Sequence, residues 1–107
     1  MIRTLFDLIY SQKRWSLQNF GIGMRTVGLC RHIQKELAEI EAAPSDTEEW
    51  VDVILLAMDG YWRAGGEPSN LLRDLADKHQ RNKRRKYPPI GVPQDQPIEH
   101  VRTNASA

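Results

Sequence analysis

Apolar residues recur at helical spacing through most of the chain. Ile2, Leu5, Phe6 and Ile9 form a short stripe that stops by about Lys13 and predicts a packing helix. Trp15, Ser16 and Leu17 follow. Two glycines within Gly21-Ile22-Gly23 then predict a loop, since glycine adopts backbone angles that other residues avoid. From Arg25 or Thr26, the spacing of Cys30, Ile33, Leu37 and Ile40 predicts a second helix that runs to about Ala42 and is stopped by Pro44. A third helix starts near Asp46 and ends at Gly65-Gly66. Its run Trp50-Val51-Asp52-Val53-Ile54-Leu55-Leu56-Ala57-Met58 is apolar on nearly every side and predicts burial all round. Glu67-Pro68-Ser69-Asn70 reads as a helix start, with proline tolerated in the first turn, and the fourth helix reaches about Lys86.

From Tyr87 onward, Pro88, Pro89, Pro93 and Pro97 forbid a regular helix. The expected organisation is therefore one helical domain over residues 1–87 and a proline-rich tail over 88–107. With 107 residues, such a domain buries a modest core and gains from pairing with copies of itself. The net charge of +1 hides a split, with acids crowded between Glu36 and Asp59 and bases between Lys78 and Lys86. The single cysteine excludes an intrachain disulfide framework, and its place on the apolar stripe predicts that Cys30 is core. No run approaches the ~18 apolar residues of a membrane span, and Asp7, Lys13 and Arg14 interrupt the N-terminus where a signal peptide needs an apolar stretch. A cytoplasmic protein is expected.

The chemistry concentrates in two short acidic pairs, Glu36-x-x-Glu39 and Glu49-x-x-Asp52. Residues three apart lie on one helical face, so each pair can aim two carboxylates at one point. Taken alone, Glu36 and Glu39 with Glu41 and Lys35 are more often a solvated charged face. Likewise, Ser45-x-x-Glu48 and Asp46-x-x-Glu49 are possible capping boxes in their own right. Neither reading accounts for Asp52, which sits inside the apolar run with no basic residue on its helix before Arg63. Four carboxylates facing a common point suit a hard divalent cation, Mg²⁺ or Mn²⁺. His32, one turn before Glu36, reads as a hydrogen-bonding neighbour, and Asp59 as a residue supporting the acidic side.

These motifs resemble the ExxE/ExxD signature of the MazG-like all-α nucleoside triphosphate pyrophosphohydrolases. The stretches Phe20-Gly21-Ile22-Gly23-Met24-Arg25-Thr26, Lys35-Glu36-Leu37-Ala38-Glu39-Ile40-Glu41-Ala42 and Glu48-Glu49-Trp50-Val51-Asp52-Val53-Ile54, with Lys78, Asn82 and Arg85, are similar to the dATP/dGTP diphosphohydrolase branch that includes the MazZ-type enzymes of phages. The similarity covers about residues 15–88. Gly21-Ile22-Gly23 replaces the Gly-Pro-Gly of many members, and Lys35 stands where many carry a further glutamate. The resemblance implies an all-α, MazG-like helical bundle completed by oligomerisation into a homodimer or dimer of dimers. It also implies a purine (deoxy)nucleoside triphosphate, dGTP or dATP, cleaved to the monophosphate and pyrophosphate, with a phage-encoded member acting in the host cytoplasm. Glu36, Glu39, Glu49 and Asp52 would be the catalytic, metal-holding set.

The substrate side is read from the remaining polar and aromatic positions. Trp15, beside the glycine loop, can stack on a base, or with Phe20 it can plug the helix junction. Along the fourth helix, Leu71, Leu75, Lys78, Asn82 and Arg85 follow steps of four, three, four and three, so one face turns from apolar to phosphate-binding. With Arg25 of the glycine-loop motif, Trp15, Lys78, Asn82 and Arg85 form the expected substrate-binding set. The rival reading is a small nucleic-acid-binding module using the basic cluster 81–86.

Overall fold

The computed structural model describes residues 1–102. Its elements are α1 (Leu5–Phe20), α2 (Thr26–Ala42), α3 (Thr47–Arg63), a 3₁₀ turn (Pro68–Asn70) and α4 (Leu71–Lys83), with no strand among the described residues, so the fold is all-α as expected. The chain divides into two compact units, Met1–Leu72 and Arg73–Ala107.

In the first unit α1 is capped at Thr4. The Thr4 hydroxyl accepts from Asp7 N–H, and the Asp7 carboxylate accepts from Thr4 N–H, so two otherwise orphaned amides are satisfied reciprocally. The helix does not stop at Lys13 but runs to Phe20. The hydrophobic stripe misses the second half because Gln12 and Ser16 occupy inward positions there, and Ser16 is as fully buried as Ile9. The core comprises Ile9, Met58, Trp62 and Leu71, flanked by Leu5, Leu8, Leu17, Leu55 and Tyr61. Thus α1 packs on the C-terminal half of α3, while α2 lies along α3 on another side.

That arrangement corrects two expectations. The N-terminal half of α3 is not buried all round, for Trp50 is 51% and Ile54 54% exposed where α1 does not reach. Asp52 is therefore exposed, and the buried acids are Glu36 and Asp59. Cys30 is exposed rather than core. At the start of α3, Asp46 is the N-cap, its carboxylate accepting from Glu48 N–H at 3.0 Å. After α3, Gly65 turns the chain at φ 108°, and Gly66 passes so close to the Tyr61 ring that a Cβ there would lie 2.5 Å from it.

The deepest polar feature ties α1, α3 and the glycine loop together. Asp59 accepts from Arg63 Nε, Ser16 Oγ and Gln12 Nε2, the last at 2.7 Å. Arg63 also donates to Ser16 Oγ and to the carbonyls of Gly21 and Gly23, each at 2.9 Å. Trp62 Nε1 donates to Gln12 Oε1 at 2.7 Å, and the Arg63 guanidinium lies 4.4 Å from the Trp62 ring centre. Burial works against the charge on Asp59, but the hydrogen bonds from Ser16, Gln12 and Arg63 outweigh it and hold the carboxyl below its ordinary range.

In the second unit α4 ends at Lys83, short of the expected Lys86, and Arg85 lies beyond it. The described part of the tail contains turns and no helix. Val101 N–H donates to Lys86 C=O, and Tyr87 and His100 meet edge to face. Residues 103–107 of the expected tail lie outside the described residues.

The buried ion pair generates a stability prediction. Arg63→Met strands the Asp59 charge and should cost about 3–5 kcal/mol, measured by urea denaturation at neutral pH. The double variant Arg63→Met, Asp59→Asn should recover part of that loss.

Candidate metal centre and adjoining pocket

α2 and α3 pack side by side, with Leu29 of α2 near Gly60 of α3, and this apposition brings the two acidic pairs together. One carboxylate oxygen from each of Glu36, Glu49 and Asp52 lies within 4.8 Å of the others. Glu39 is outside that triangle but is half-buried beside it, close enough to act on the protonation of both Glu36 and Glu49. The four expected acids thus occupy one locality, three of them tightly grouped.

The electrostatics of the triangle are unbalanced. Glu36 is 7% exposed, and the Oε2 atoms of Glu36 and Glu49 are both buried without a hydrogen-bond partner. Among the described residues no Lys or Arg pairs with either, and His32 Nε2 lies 3.3 Å from Glu36 Oε1. Glu49 responds by keeping a proton. Sharing that proton with Glu36, then with Glu39, raises its pKa to about 7, and burial and repulsion add to the effect. The same sharing with Glu49 is the main reason that Glu36 is held below its ordinary range, with Glu39 and His32 assisting against burial.

The donor set fits a hard divalent cation: it is all carboxylate, it converges, and it includes two buried oxygens that nothing else satisfies. Glu36, Glu49 and Asp52 are the residues placed to hold one, with Glu39 beside them.

A cavity of about 520 Å³ adjoins this cluster through His32, which lines it and contacts Glu36. Trp15 and Phe20 line it as well, their rings edge to face with centres 5.2 Å apart. Each is about half exposed, so they do not plug a junction. Leu29, Leu55 and Leu56 supply apolar wall, Arg25 reaches it from the end of the glycine loop, and Gln12 and Asp59 provide its buried polar side. Arg25 itself has φ 49°, a left-handed conformation uncommon for a non-glycine residue. Trp15 and Arg25 of the expected substrate set therefore lie at this cavity. Lys78, Asn82 and Arg85 belong to the second unit, where Arg85 donates to Asn82 Oδ1 at 3.1 Å. Arg85 lies just past the end of α4, its backbone N–H also donating to Asn82 C=O at 3.1 Å.

Sequence reasoning missed Gln12, Ser16 and Arg63. The available signal was the spacing of Gln12 and Ser16 behind Leu5, Leu8 and Ile9, which continues the inward face with polar residues. It also passed over the i, i+4 pairing of Asp59 with Arg63.

The chain thus gathers carboxylates from two adjacent helices, with buried oxygens that lack partners, into a cluster that could coordinate a divalent metal. A family model described as dATP/dGTP pyrophosphohydrolase matches residues 8–107, and the chain belongs to that family. No curated protein and no solved structure matches it.

The proton on Glu49 leads to a paired pH prediction. The folded pKa of about 7 lies above the unfolded value of 4.5, so the stabilisation from this group is fully present below the lower value and is lost as pH rises through the higher. The metal-free protein should lose melting temperature between about pH 5 and about pH 8 in a way that Glu49→Gln abolishes. Mn²⁺ must displace this proton, so its affinity by calorimetry should rise across the same interval, by up to about tenfold per pH unit below the pKa.

Proposed function

We propose that the protein is a Mg²⁺- or Mn²⁺-dependent pyrophosphohydrolase that cleaves a purine deoxynucleoside triphosphate, dGTP or dATP, to the monophosphate and pyrophosphate, as in the MazZ-like branch. The observation that carries this reading is the convergence of carboxylate oxygens from Glu36, Glu49 and Asp52, with Oε2 of Glu36 and of Glu49 buried and without a partner, next to a cavity of nucleotide-binding size. Family membership supplies the reaction class.

When bound, the cation supplies Lewis-acid polarisation of a phosphate oxygen and a water nucleophile at neutral pH. Glu36, Glu49 and Asp52 hold it, and Glu39 supports them. His32 keeps the Glu36 carboxylate oriented from the cavity side. Trp15 and Phe20 offer ring faces for a base, and a base stacked on an aromatic side chain gains about 1–3 kcal/mol in single-strand binders. Arg25 contributes positive charge toward the triphosphate; of the remaining expected set, Lys78 and Arg85 would bind phosphate oxygens through charge-assisted hydrogen bonds and Asn82 through its neutral amide. Residues 1–87 act as the catalytic domain and 88–107 as a tail.

The exposed Trp50, Val51 and Ile54 support a further part of the reading, a homodimer or dimer of dimers that covers this side of α3. Light scattering at micromolar concentration should report a multiple of the 12.3 kDa chain, and a monomer there would count against it.

The activity itself is tested by turnover of a panel of triphosphates with Mg²⁺ or Mn²⁺. Because Glu36 is the buried member of the cluster, Glu36→Gln should reduce turnover most, on the order of a hundredfold or more, with Asp52→Asn milder. Arg85→Ala should weaken substrate use while leaving Mn²⁺ binding intact. Full activity in Glu36→Gln would place the site elsewhere.

A further inference from the structure

The cavity has a polar side whose chemistry is fixed. Among its lining residues, His32 is directed to Glu36 and Arg25 is exposed, so the remaining polar groups of the wall are the half-buried Gln12 and the buried Asp59. A carboxamide ordinarily presents an acceptor and two donors in either of two orientations. Here the choice is removed. Trp62 Nε1 can only donate, and it takes Gln12 Oε1 at 2.7 Å. The Asp59 carboxylate can only accept, and its Oδ2 takes Gln12 Nε2 at 2.7 Å. Flipping the amide would set N–H against N–H on one side and oxygen against carboxylate on the other.

The remaining valences can be counted. Asp59 Oδ2 already accepts from both Gln12 and Ser16, whereas Oδ1 accepts from Arg63 Nε alone. By this count one Gln12 N–H and one acceptor position on Asp59 Oδ1 are left, on two residues that both line the cavity. The two purines present complementary groups in opposite order: adenine has the N6 donor followed by the N1 acceptor, and guanine the O6 acceptor followed by the N1–H donor. A pair that cannot reverse its own order matches one of them in a given base orientation, and leaves buried polar groups opposed by the other.

We propose that Gln12 and Asp59 read the Watson–Crick edge of the base, and that the locked Gln12 amide makes this chain select one purine over the other. The proposal rests on the reading above, in which the base occupies this cavity while the triphosphate reaches the Glu36–Glu49 cluster. Arg63 and Trp62 then act as positioning residues that hold Asp59 and Gln12 in register.

The test compares kcat/KM for dGTP, dATP and the deoxynucleoside triphosphate of unsubstituted purine, using the wild-type chain, Gln12→Met and Gln12→Glu with Mn²⁺. Melting curves with and without Mn²⁺ report folding and metal binding separately. The wild type should favour one natural purine by at least about tenfold and use the unsubstituted purine poorly. Gln12→Met removes the amide, and Gln12→Glu keeps an acceptor for Trp62 while removing the donor. Both should shrink the dGTP:dATP ratio toward one and retain the Mn²⁺-induced rise in melting temperature. Loss of packing alone would lower turnover of both purines together and leave their ratio unchanged. Equal use of dGTP and dATP by the wild type, an unchanged ratio in the variants, or full use of the unsubstituted purine would each overturn the proposal while leaving the hydrolase reading intact. Should both variants unfold, the wild-type comparison with the unsubstituted purine still decides. Absence of hydrolysis of any triphosphate together with absence of Mn²⁺ binding would instead remove the functional reading on which the proposal stands.

Discussion

The buried Asp59–Arg63 pair is the interaction on which the first unit depends. Taking two charges out of water costs several kcal/mol, so such a pair is a poor source of net stability. What it does provide is a single arrangement. Asp59 is satisfied when Ser16 and Gln12 approach from α1, which fixes the register of α1 on α3. Arg63 accommodates the carbonyls of Gly21 and Gly23, which fixes how the chain leaves α1 and enters α2. With that turn set, α2 lies along α3, and Glu36 meets Glu49. The acidic cluster is thus a consequence of an ion pair on the neighbouring turns of the same helix.

Two acid centres on one unit therefore follow opposite electrostatic logic. Around Asp59 the protein supplies enough donors that the charge is retained in spite of burial. Around Glu36 and Glu49 it withholds them, so a proton is kept near neutral pH and two oxygens remain unpartnered. A native fold rarely leaves buried polar atoms unsatisfied without a functional reason. Repulsion that destabilises the metal-free chain is the same property that would draw in a cation, so the stability cost and the capacity to bind one go together.

The sequence made α2 and α3 legible nearly to their ends, because each carries an uninterrupted apolar period between clear stops, Pro44 for one and Gly65-Gly66 for the other. The pairing of Glu36 with Glu49 and Asp52 followed from spacing alone. Burial did not. Asp52 sits among apolar neighbours in sequence, yet α1 reaches only the other half of α3, and no one-dimensional pattern states where a neighbouring helix ends. Cys30 fails for the same reason, lying on a stripe wider than the partner that covers it. The second half of α1 was illegible for a different cause, since Gln12 and Ser16 stand where hydrophobic periodicity expects aliphatic residues. Arg85 was placed on a helical face by extrapolating the period of α4 past Lys83.

Polar residues in a small core are informative because they are costly. The first unit has few buried aliphatic side chains, and replacing Gln12 and Ser16 by leucine-like residues would extend its core in the obvious way. Keeping them requires Asp59, Arg63 and Trp62 to be arranged around them so that their buried polar atoms have partners. Local rules of folding are most often broken where a site must present chemistry. In this chain the break is visible twice, as carboxylates without donors on α2 and α3 and as an amide inside the α1 face. The amide lies on the wall of the cavity, and the acidic cluster adjoins that cavity through His32, which lines it and contacts Glu36.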